Sequence, residues 1–106
     1  MDIWDIVICK VYFVEMSWFK LRPVLLFQQM WNDFLFLPLT TNLERYWYLL
    51  KKEELSLWNL NKDSLIIVPK FWVINKEYIY KKIDKLKDNA YKNVSVMVCS
   101  KLGCIN

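Results

Sequence analysis

Apolar and polar residues follow a strand-like pattern over the first half of the chain. The residues of these segments are β-branched and aromatic, with either rough alternation or a continuous apolar run, and both patterns are typical of β-strands. The pattern predicts four strands, at residues 3–13, 23–30, 34–39 and 46–50. It predicts a loop at residues 14–22, where the character is mixed, and a turn at residues 31–33, where Asn and Asp form local hydrogen bonds.

Two prolines modify this picture. Pro38 falls inside the third predicted strand, where a residue without an N–H predicts an edge position or a bulge. Residues 64–74 predict a fifth strand region, and Pro69 within it predicts a bulge or bend. Between them, residues 51–58 are charged, with two apolar residues three apart, which predicts one short helix or turn.

The C-terminal part changes to a helical pattern. Asn75 is a good N-cap, because its side chain can accept hydrogen bonds from the amides of a first turn. Ile79, Ile83 and Leu86 follow at i, i+4 and i+7 and predict one apolar stripe on a helix.

A second helix is predicted from about Ala90 to Leu102, with Asp88 as a cap and Gly103 as the stop. A strand is the alternative for this segment, since valines alternate with polar and other residues at positions 94–98.

Strands joined by tight turns and followed by helices predict the fold class. We expect a mainly β (α+β) domain: a small, strongly bent sheet or open barrel of about five strands, with one or two C-terminal helices at one end. The length of 106 residues predicts a single domain, 1–106, with one core.

Composition narrows the class of protein. Hydrophobic residues make up 56% and aromatic residues 17% of the chain, which is too apolar for a disordered protein. So many aromatics predict that some lie in an interface or a groove, and we expect a homodimer. Charged residues interrupt every apolar run before the ~18 residues that a membrane span requires. The first residues are acidic where a signal peptide would be basic, so we expect a cytoplasmic protein without a membrane partner.

The chemistry available to the chain is limited by what it lacks. It contains no His, which excludes Ser-His-Asp and Cys-His catalysis. Gly103 is the one glycine, so no phosphate-binding glycine loop is present. The three cysteines have no CxxC spacing, and we expect neither a zinc site nor a disulfide framework. No metal and no cofactor are therefore expected. The net charge of +4 permits a nucleic acid or an acidic peptide as partner.

Arg22 stands out among the 15 basic residues, because only it and Arg45 are arginines. It precedes Pro23 at the start of an apolar strand. The planar guanidinium binds two phosphate or carboxylate oxygens at once, which Lys cannot do. A salt bridge or a solvated strand end is the alternative explanation. Because His is absent, Arg22 is the best available cation for catalysis on a phosphate.

Several short stretches also recur together in one order and at matching spacing. They are Asp5–Val7, Phe13, Ser17, Lys20–Leu25, Leu37–Thr41, Leu60–Ser64, Ile74–Lys76 and Lys81–Leu86. Together they resemble the MazF/PemK (Kid) family of toxins, over roughly residues 4–87. The resemblance implies an SH3-like barrel, usually a symmetric homodimer. It implies a metal-independent endoribonuclease, an mRNA interferase that cleaves single-stranded RNA through a 2′,3′-cyclic phosphate. It also implies a cognate antitoxin that docks across the dimer and blocks the groove.

The resemblance also implies roles for particular residues. Arg22 and Thr40 match the catalytic positions, with Arg22 for transition-state charge and Thr40 as a hydrogen-bond donor to the scissile phosphate. The residues implied to contact RNA are Phe13, Ser17, Lys20, Thr41 and Lys70. Taken singly, each has a structural alternative: an aromatic ring in the core, a solvated charge, or a hydroxyl bonded to its own backbone.

The chain departs from the family pattern at several positions. Trp18 and Phe19 stand where the family has small residues, and Pro69 and Trp72 stand where many members have Asp and Arg. The general base is therefore unassigned, with Glu15 as one candidate by position. Two alternatives to an active ribonuclease follow. One is a weak or inactive member that binds RNA or an antitoxin peptide, and the other is an unrelated small β-barrel whose aromatic face binds a protein.

Overall fold

The computed structural model describes residues 2–12, 19–41, 48–57, 63–68 and 71–103. It contains seven strands, which are β1 (Asp5–Tyr12), β2 (Phe19–Met30), β3 (Asp33–Thr40), β4 (Tyr48–Leu50), β5 (Ser64–Ile66), β6 (Trp72–Asn75) and β7 (Ile79–Lys85). One helix, α1 (Asp88–Leu102), follows them, and 3₁₀ turns lie at Lys52–Glu54 and Lys76–Tyr78. The fold class predicted from the sequence is confirmed, with more strands than the expected five and with one helix.

The strands form an antiparallel, seven-stranded sheet in the order β4-β5-β3-β2-β1-β7, with β6 paired to β3. The long strands β1, β2 and β3 lie at its centre. In the described residues β6 and β7 are joined by the second 3₁₀ turn and are not hydrogen-bonded to each other, so the sheet curls without closing. A register shift in β2 between Leu26 and Gln28 supplies a bulge there, and a bulge of this kind bends its strand.

Each face of the central strands carries its own hydrophobic cluster, because successive side chains of a strand point to opposite faces. Leu25 and Leu26 are both fully buried, one in each cluster. The helix-covered cluster consists of Ile6, Leu25, Leu37, Leu39, Leu50, Leu55, Ile66, Val68, Leu86, Ala90, Val94 and Val98. The barrel cluster consists of Val7, Cys9, Val24, Leu26, Phe34, Phe36 and Ile74.

The predicted helix at residues 90–102 is confirmed as α1. Ala90, Val94 and Val98 repeat every four residues and form its buried face. Gly103 ends it with a φ of 73°, in the left-handed region that glycine adopts at little cost. Asp88 is the first helical residue rather than the cap. No helix in the described part of the chain has the length and apolarity needed to cross a membrane.

The first predicted helix is wrong. Asn75 does act as a cap, because its side chain accepts a hydrogen bond of 2.9 Å from the Glu77 amide, but the helix ends after one 3₁₀ turn. The chain then continues as β7, which pairs with β1 from Asp5↔Lys85 to Cys9↔Ile79. Without β7 the long strand β1 would be an unpaired edge. Tertiary strand pairing therefore overrides an apolar spacing that fits a helix equally well.

Two further boundaries differ from the prediction. Residues 19–22 belong to β2 rather than to a loop, while the rest of the predicted loop, 13–18, lies outside the described residues. The fifth strand region is divided into β5 and β6, and Pro69 between them lies outside the described residues. The short turn predicted at residues 51–58 is confirmed by the 3₁₀ turn Lys52–Glu54.

Candidate active site

The candidate site begins where β2 and β3 separate. Their ladder runs from Met30↔Asp33 to Val24↔Pro38 and stops there. Pro38 has no N–H to donate, so it is a natural end for the ladder. On its other edge β3 pairs with β6 as far as Phe36↔Trp72 and then with β5, through Leu39↔Ile66 and Thr40↔Leu65. The sequence predicted that Pro38 lies at an edge or in a bulge. In the structure it lies instead at the residue where β3 changes partner.

Arg22 on β2 and Thr40 on β3 both lie two residues beyond the last pair of this ladder, Val24↔Pro38. In the ladder, each step back along β2 corresponds to one step forward along β3, as in Leu25↔Leu37 and Val24↔Pro38. Continuing this register by two residues sets Arg22 opposite Thr40. On its other side, Arg22 pairs directly with Cys9 of β1. We call the region past the Val24↔Pro38 pair, between Arg22 on β2 and Thr40 on β3, the mouth.

The exposure of these residues suits a surface site. Arg22 and Lys20 are exposed, and Thr40 is half-buried. Lys20 and Arg22 are two residues apart on β2, so both extend from the same face of the strand. Thr41 is exposed and follows the last residue of β3. Alternation assigns it to the face opposite Thr40, so of the hydroxyls it is the less suited to share a phosphate with Arg22.

Part of the predicted site lies outside the described residues. Phe13, Ser17 and Lys70 fall there, as does Glu15, the candidate base. Their contact with RNA stays a prediction.

One further feature was not predicted from the sequence. A cavity of about 270 Å³ is lined by Lys10, Phe36, Trp72, Val73, Ile74, Asn75 and Tyr78. Lys10 pairs with Leu21, the neighbour of Arg22, so the cavity reaches the same end of the barrel. Phe36 and Trp72 form an edge-to-face pair with ring centroids 6.2 Å apart. The sequence signal for this cavity was Lys10, a charged residue inside a largely apolar strand.

The buried carboxylates among the described residues have partners away from the mouth. Asp5 is 1% exposed, lies 3.3 Å from Lys82 Nζ and begins β1, four residues from Cys9. Asp84 is fully buried and accepts hydrogen bonds of 2.8 Å from the amides of Leu57 and Lys85. Glu54 accepts from the Lys51 amide and the Tyr48 hydroxyl. These three groups stabilise loops and strand ends, and none belongs to the mouth.

Burial perturbs the one thiol beside the site. Cys9 is fully buried in the barrel cluster, and this desolvation raises the pKa of its thiol to about 11. At neutral pH the group is protonated and therefore unsuited to act as a base or nucleophile. The chemistry of the mouth accordingly rests on a fixed positive charge and hydroxyl donors, which can stabilise negative charge on a phosphate.

Comparison with known proteins supports the fold. No family model matches the sequence, and no curated protein matches it. Among solved structures, the Mycobacterium tuberculosis toxin MazF-mt6 superposes with a TM-score of 0.75 and 15% identity, covering 96% of this chain and 99% of the other. An endoribonuclease in complex with its cognate antitoxin, from a mycobacterial species, superposes with a TM-score of 0.73 and 11% identity, covering 97% and 93%. The chain has the fold of these toxins, so the resemblance found in the sequence is confirmed at the level of the fold.

Proposed function

We propose that the protein is the toxin of a toxin–antitoxin system and acts as an endoribonuclease on single-stranded RNA, without a metal ion. One observation supports the proposal most directly: the β2–β3 ladder ends at Val24↔Pro38, and Arg22 and Thr40 each lie two residues beyond that pair. Those two positions are the ones that the family resemblance assigns to catalysis. The toxins MazF-mt6 and the antitoxin-bound endoribonuclease share the fold, which supports the same assignment.

The reaction requires few catalytic groups. The ribose 2′-oxygen attacks the adjacent phosphorus as it loses its proton to a base. The bond from phosphorus to the 5′-oxygen breaks, and that oxygen takes up a proton. The products are a 2′,3′-cyclic phosphate and a free 5′-hydroxyl. The enzyme holds the attacking and leaving oxygens in line and stabilises the charge that builds on the phosphoryl oxygens.

Arg22 suits the electrostatic part of this reaction. Its guanidinium donates two parallel hydrogen bonds to phosphoryl oxygens, and it stays charged throughout. A guanidinium stays protonated and is a poor proton donor near neutral pH, so charge stabilisation is its main role. Thr40 donates its hydroxyl hydrogen to the scissile phosphate from the other side of the mouth. Lys20, two residues from Arg22, binds a neighbouring phosphate.

We propose two protein partners as well. A cognate antitoxin would cover the mouth, and a second copy of the chain would complete the groove as a homodimer. A substrate that is messenger RNA places the protein in the cytoplasm. A monomer by light scattering at micromolar concentration would contradict the dimer and the shared groove.

The decisive experiment is cleavage of a long single-stranded RNA by the purified protein in excess EDTA. We expect cleavage, with 2′,3′-cyclic phosphate and 5′-hydroxyl ends identified by mass spectrometry. Arg22→Ala should lower the rate about 100- to 1,000-fold, the cost of removing one donor to a developing oxyanion. Lys101→Ala is the matched control, because Lys101 is an exposed cation near the end of α1, and it should cleave at the wild-type rate. Equal rates in both variants would refute the role of Arg22.

A binding module without turnover is the second candidate, and one observation favours it. The described ladder positions around Arg22 on β1, β2 and β3 carry no carboxylate that can accept the 2′-hydroxyl proton. Trp72, which replaces an arginine of the family pattern, is 44% exposed beside the mouth. Under this alternative the EDTA assay gives no cleavage, while RNA binding persists and weakens steeply with added salt, as expected for phosphate contacts.

A further inference from the structure

We infer that the cavity beside the mouth is a base-binding pocket, which takes one unstacked nucleobase of the RNA whose phosphates Arg22 and Lys20 hold. The inference rests on the proposed function for the identity of the ligand. The cavity itself, its lining and its position are independent of that function.

The lining fits a flat, uncharged heterocycle. Phe36 and Trp72 supply two rings at one wall, and Tyr78 supplies a third. Trp72 is 44% and Tyr78 42% exposed, so aromatic surface faces the opening. Aromatic faces of this kind stack on bases of any sequence, because every base has a π-face. The volume of about 270 Å³ admits a base without requiring the sheet to open.

The polar part of the lining distinguishes a nucleotide from a plain apolar ligand. Among the described lining residues Lys10 is charged and none is acidic. Asn75 is fixed in place: its Nδ2 donates one hydrogen to Asp33 Oδ1 at 3.2 Å, and its Oδ1 accepts from the Glu77 amide. A positive charge and an oriented amide at the rim of an aromatic wall favour a base attached to a phosphate.

The cavity and the phosphate site are connected through neighbouring strands of the sheet. Phe36 pairs with Leu26 of β2 and with Trp72 of β6, and it lies on the same row of the sheet. Leu26 and Arg22 are four residues apart on β2, which separates their rows by about 13 Å and sets both on one face. Lys10, the cationic residue of the lining, pairs with Leu21, the neighbour of Arg22. One strand of RNA can therefore place a phosphate on Arg22 and a nearby base in the cavity.

The test measures bases and phosphates separately. The probes are two labelled strands of 12 units: 2′-O-methyl RNA of random sequence, which lacks the attacking hydroxyl, and a strand of the same charge without bases. We expect Trp72→Leu to weaken binding of the base-bearing strand about 5- to 100-fold by fluorescence anisotropy, the loss of one stacked base. It should leave binding of the abasic strand unchanged. Arg22→Ala should weaken binding of both strands.

Two variants control for indirect effects. Trp72→Phe keeps a ring and should restore most of the affinity. Trp31→Leu makes the same substitution at a residue that is 94% exposed beyond the other end of β2, and it should not affect either strand. Each variant is first shown to unfold at the wild-type urea midpoint.

The outcomes test the base-binding pocket and the ribonuclease activity separately. Equal loss with both strands, or no loss with Trp72→Leu, overturns the pocket even when Arg22-dependent cleavage is present. Loss confined to the base-bearing strand supports the pocket even when the EDTA assay shows no cleavage. If Trp72→Leu affects neither strand but abolishes binding of a labelled acidic peptide with one tryptophan, the cavity is a protein-binding site and the inference is wrong.

Discussion

The two faces of the central sheet differ in what covers them, and β2 shows the difference in two adjacent residues. Leu25 and Leu26 are both fully buried. Leu25 belongs to the helix-covered cluster of twelve described residues, which α1, β4 and β5 complete. Leu26 belongs to the barrel cluster of seven, which ends at the mouth. Since apolar burial contributes about 25 cal/mol per Å², the larger cluster contributes more of the stability.

The polar groups follow the same division. Asp84 lies opposite Ile6 of the helix-covered cluster and accepts two backbone hydrogen bonds there. On the barrel side, Arg22 and Lys20 extend toward solvent. Asp84 is thus satisfied by the fold itself, whereas the exposed cations on the barrel side can serve a ligand. Stability and chemistry are carried by different faces, and substitutions should separate them.

The largest effect on stability is expected for the adjacent leucines. Leu25→Ala and Leu26→Ala should each lower the free energy of unfolding by about 2–5 kcal/mol, because each leaves a cavity in a packed cluster. Below the unfolding transition, Leu25→Ala should keep its cleavage rate. Leu26→Ala should lose rate, because Leu26 supports Phe36, which lines the cavity at the mouth. Urea unfolding and the cleavage assay at one low temperature measure the two quantities.

Arg22→Ala is the reference variant for the comparison of Leu25→Ala with Leu26→Ala. The residue is exposed, so its removal should change the free energy of unfolding by less than about 0.5 kcal/mol while the cleavage rate falls. A loss of activity confined to Leu25→Ala would reverse the assignment of the two faces.

The sequence was most informative where pattern and pairing agree. The apolar runs at 23–30 and 34–39 predicted the strands β2 and β3, which are central and long. Residues 79–86 were misread because three apolar residues at helical spacing also fit a strand that needs only intermittent burial. The strand is preferred to the helix because β1 needs a partner along its edge, and this requirement arises only in the tertiary structure.

The same limit applies to the site. Arg22 could be singled out from the sequence by its residue type and by the absence of His. Its relation to Thr40 depends on the register between β2 and β3, which the structure provides. The cavity joins Lys10 to Trp72 and Tyr78, more than sixty positions away, and no local spacing indicates that they meet. Position along the chain carries little information about such contacts.

Substitution of Asp84 should have the next largest effect on the free energy of unfolding. It tests whether the helix-covered face depends on a buried carboxylate that accepts hydrogen bonds. Asp84→Ala should cost about 1–3 kcal/mol, because the buried amides of Leu57 and Lys85 lose their acceptor. Asp84→Asn keeps an oxygen at the same position and should cost less. Both variants should cleave RNA normally below their unfolding transitions. Equal stability of the Ala and Asn variants would show that the carboxylate contributes through its charge rather than as an acceptor.

The smallest effects on stability are expected at alkaline pH, where one described group on each face has a raised pKa. On the barrel side, burial raises the pKa of Cys9 from 9.0 to about 11. On the helix-covered side, burial and the hydrogen bond to Glu54 raise the pKa of Tyr48 from 10.0 to about 12. In both cases the unfolded chain releases the proton first, so ionisation favours unfolding. The contribution of Cys9 should therefore be lost between about pH 9 and 11, and that of Tyr48 between about 10 and 12.

Urea midpoints measured from pH 8 to 11.5 can separate these contributions. Cys9→Ala should flatten the decline that begins near pH 9, and Tyr48→Phe should flatten only the part above pH 10. Lysine titration is common to the wild type and both variants and cancels in the differences. If Cys9→Ala leaves the decline unchanged while Tyr48→Phe removes it, the thiol already reaches water in the folded protein. The barrel cluster would then open at the mouth while the helix-covered cluster stays closed, which would make the difference between the two faces one of dynamics as well as size.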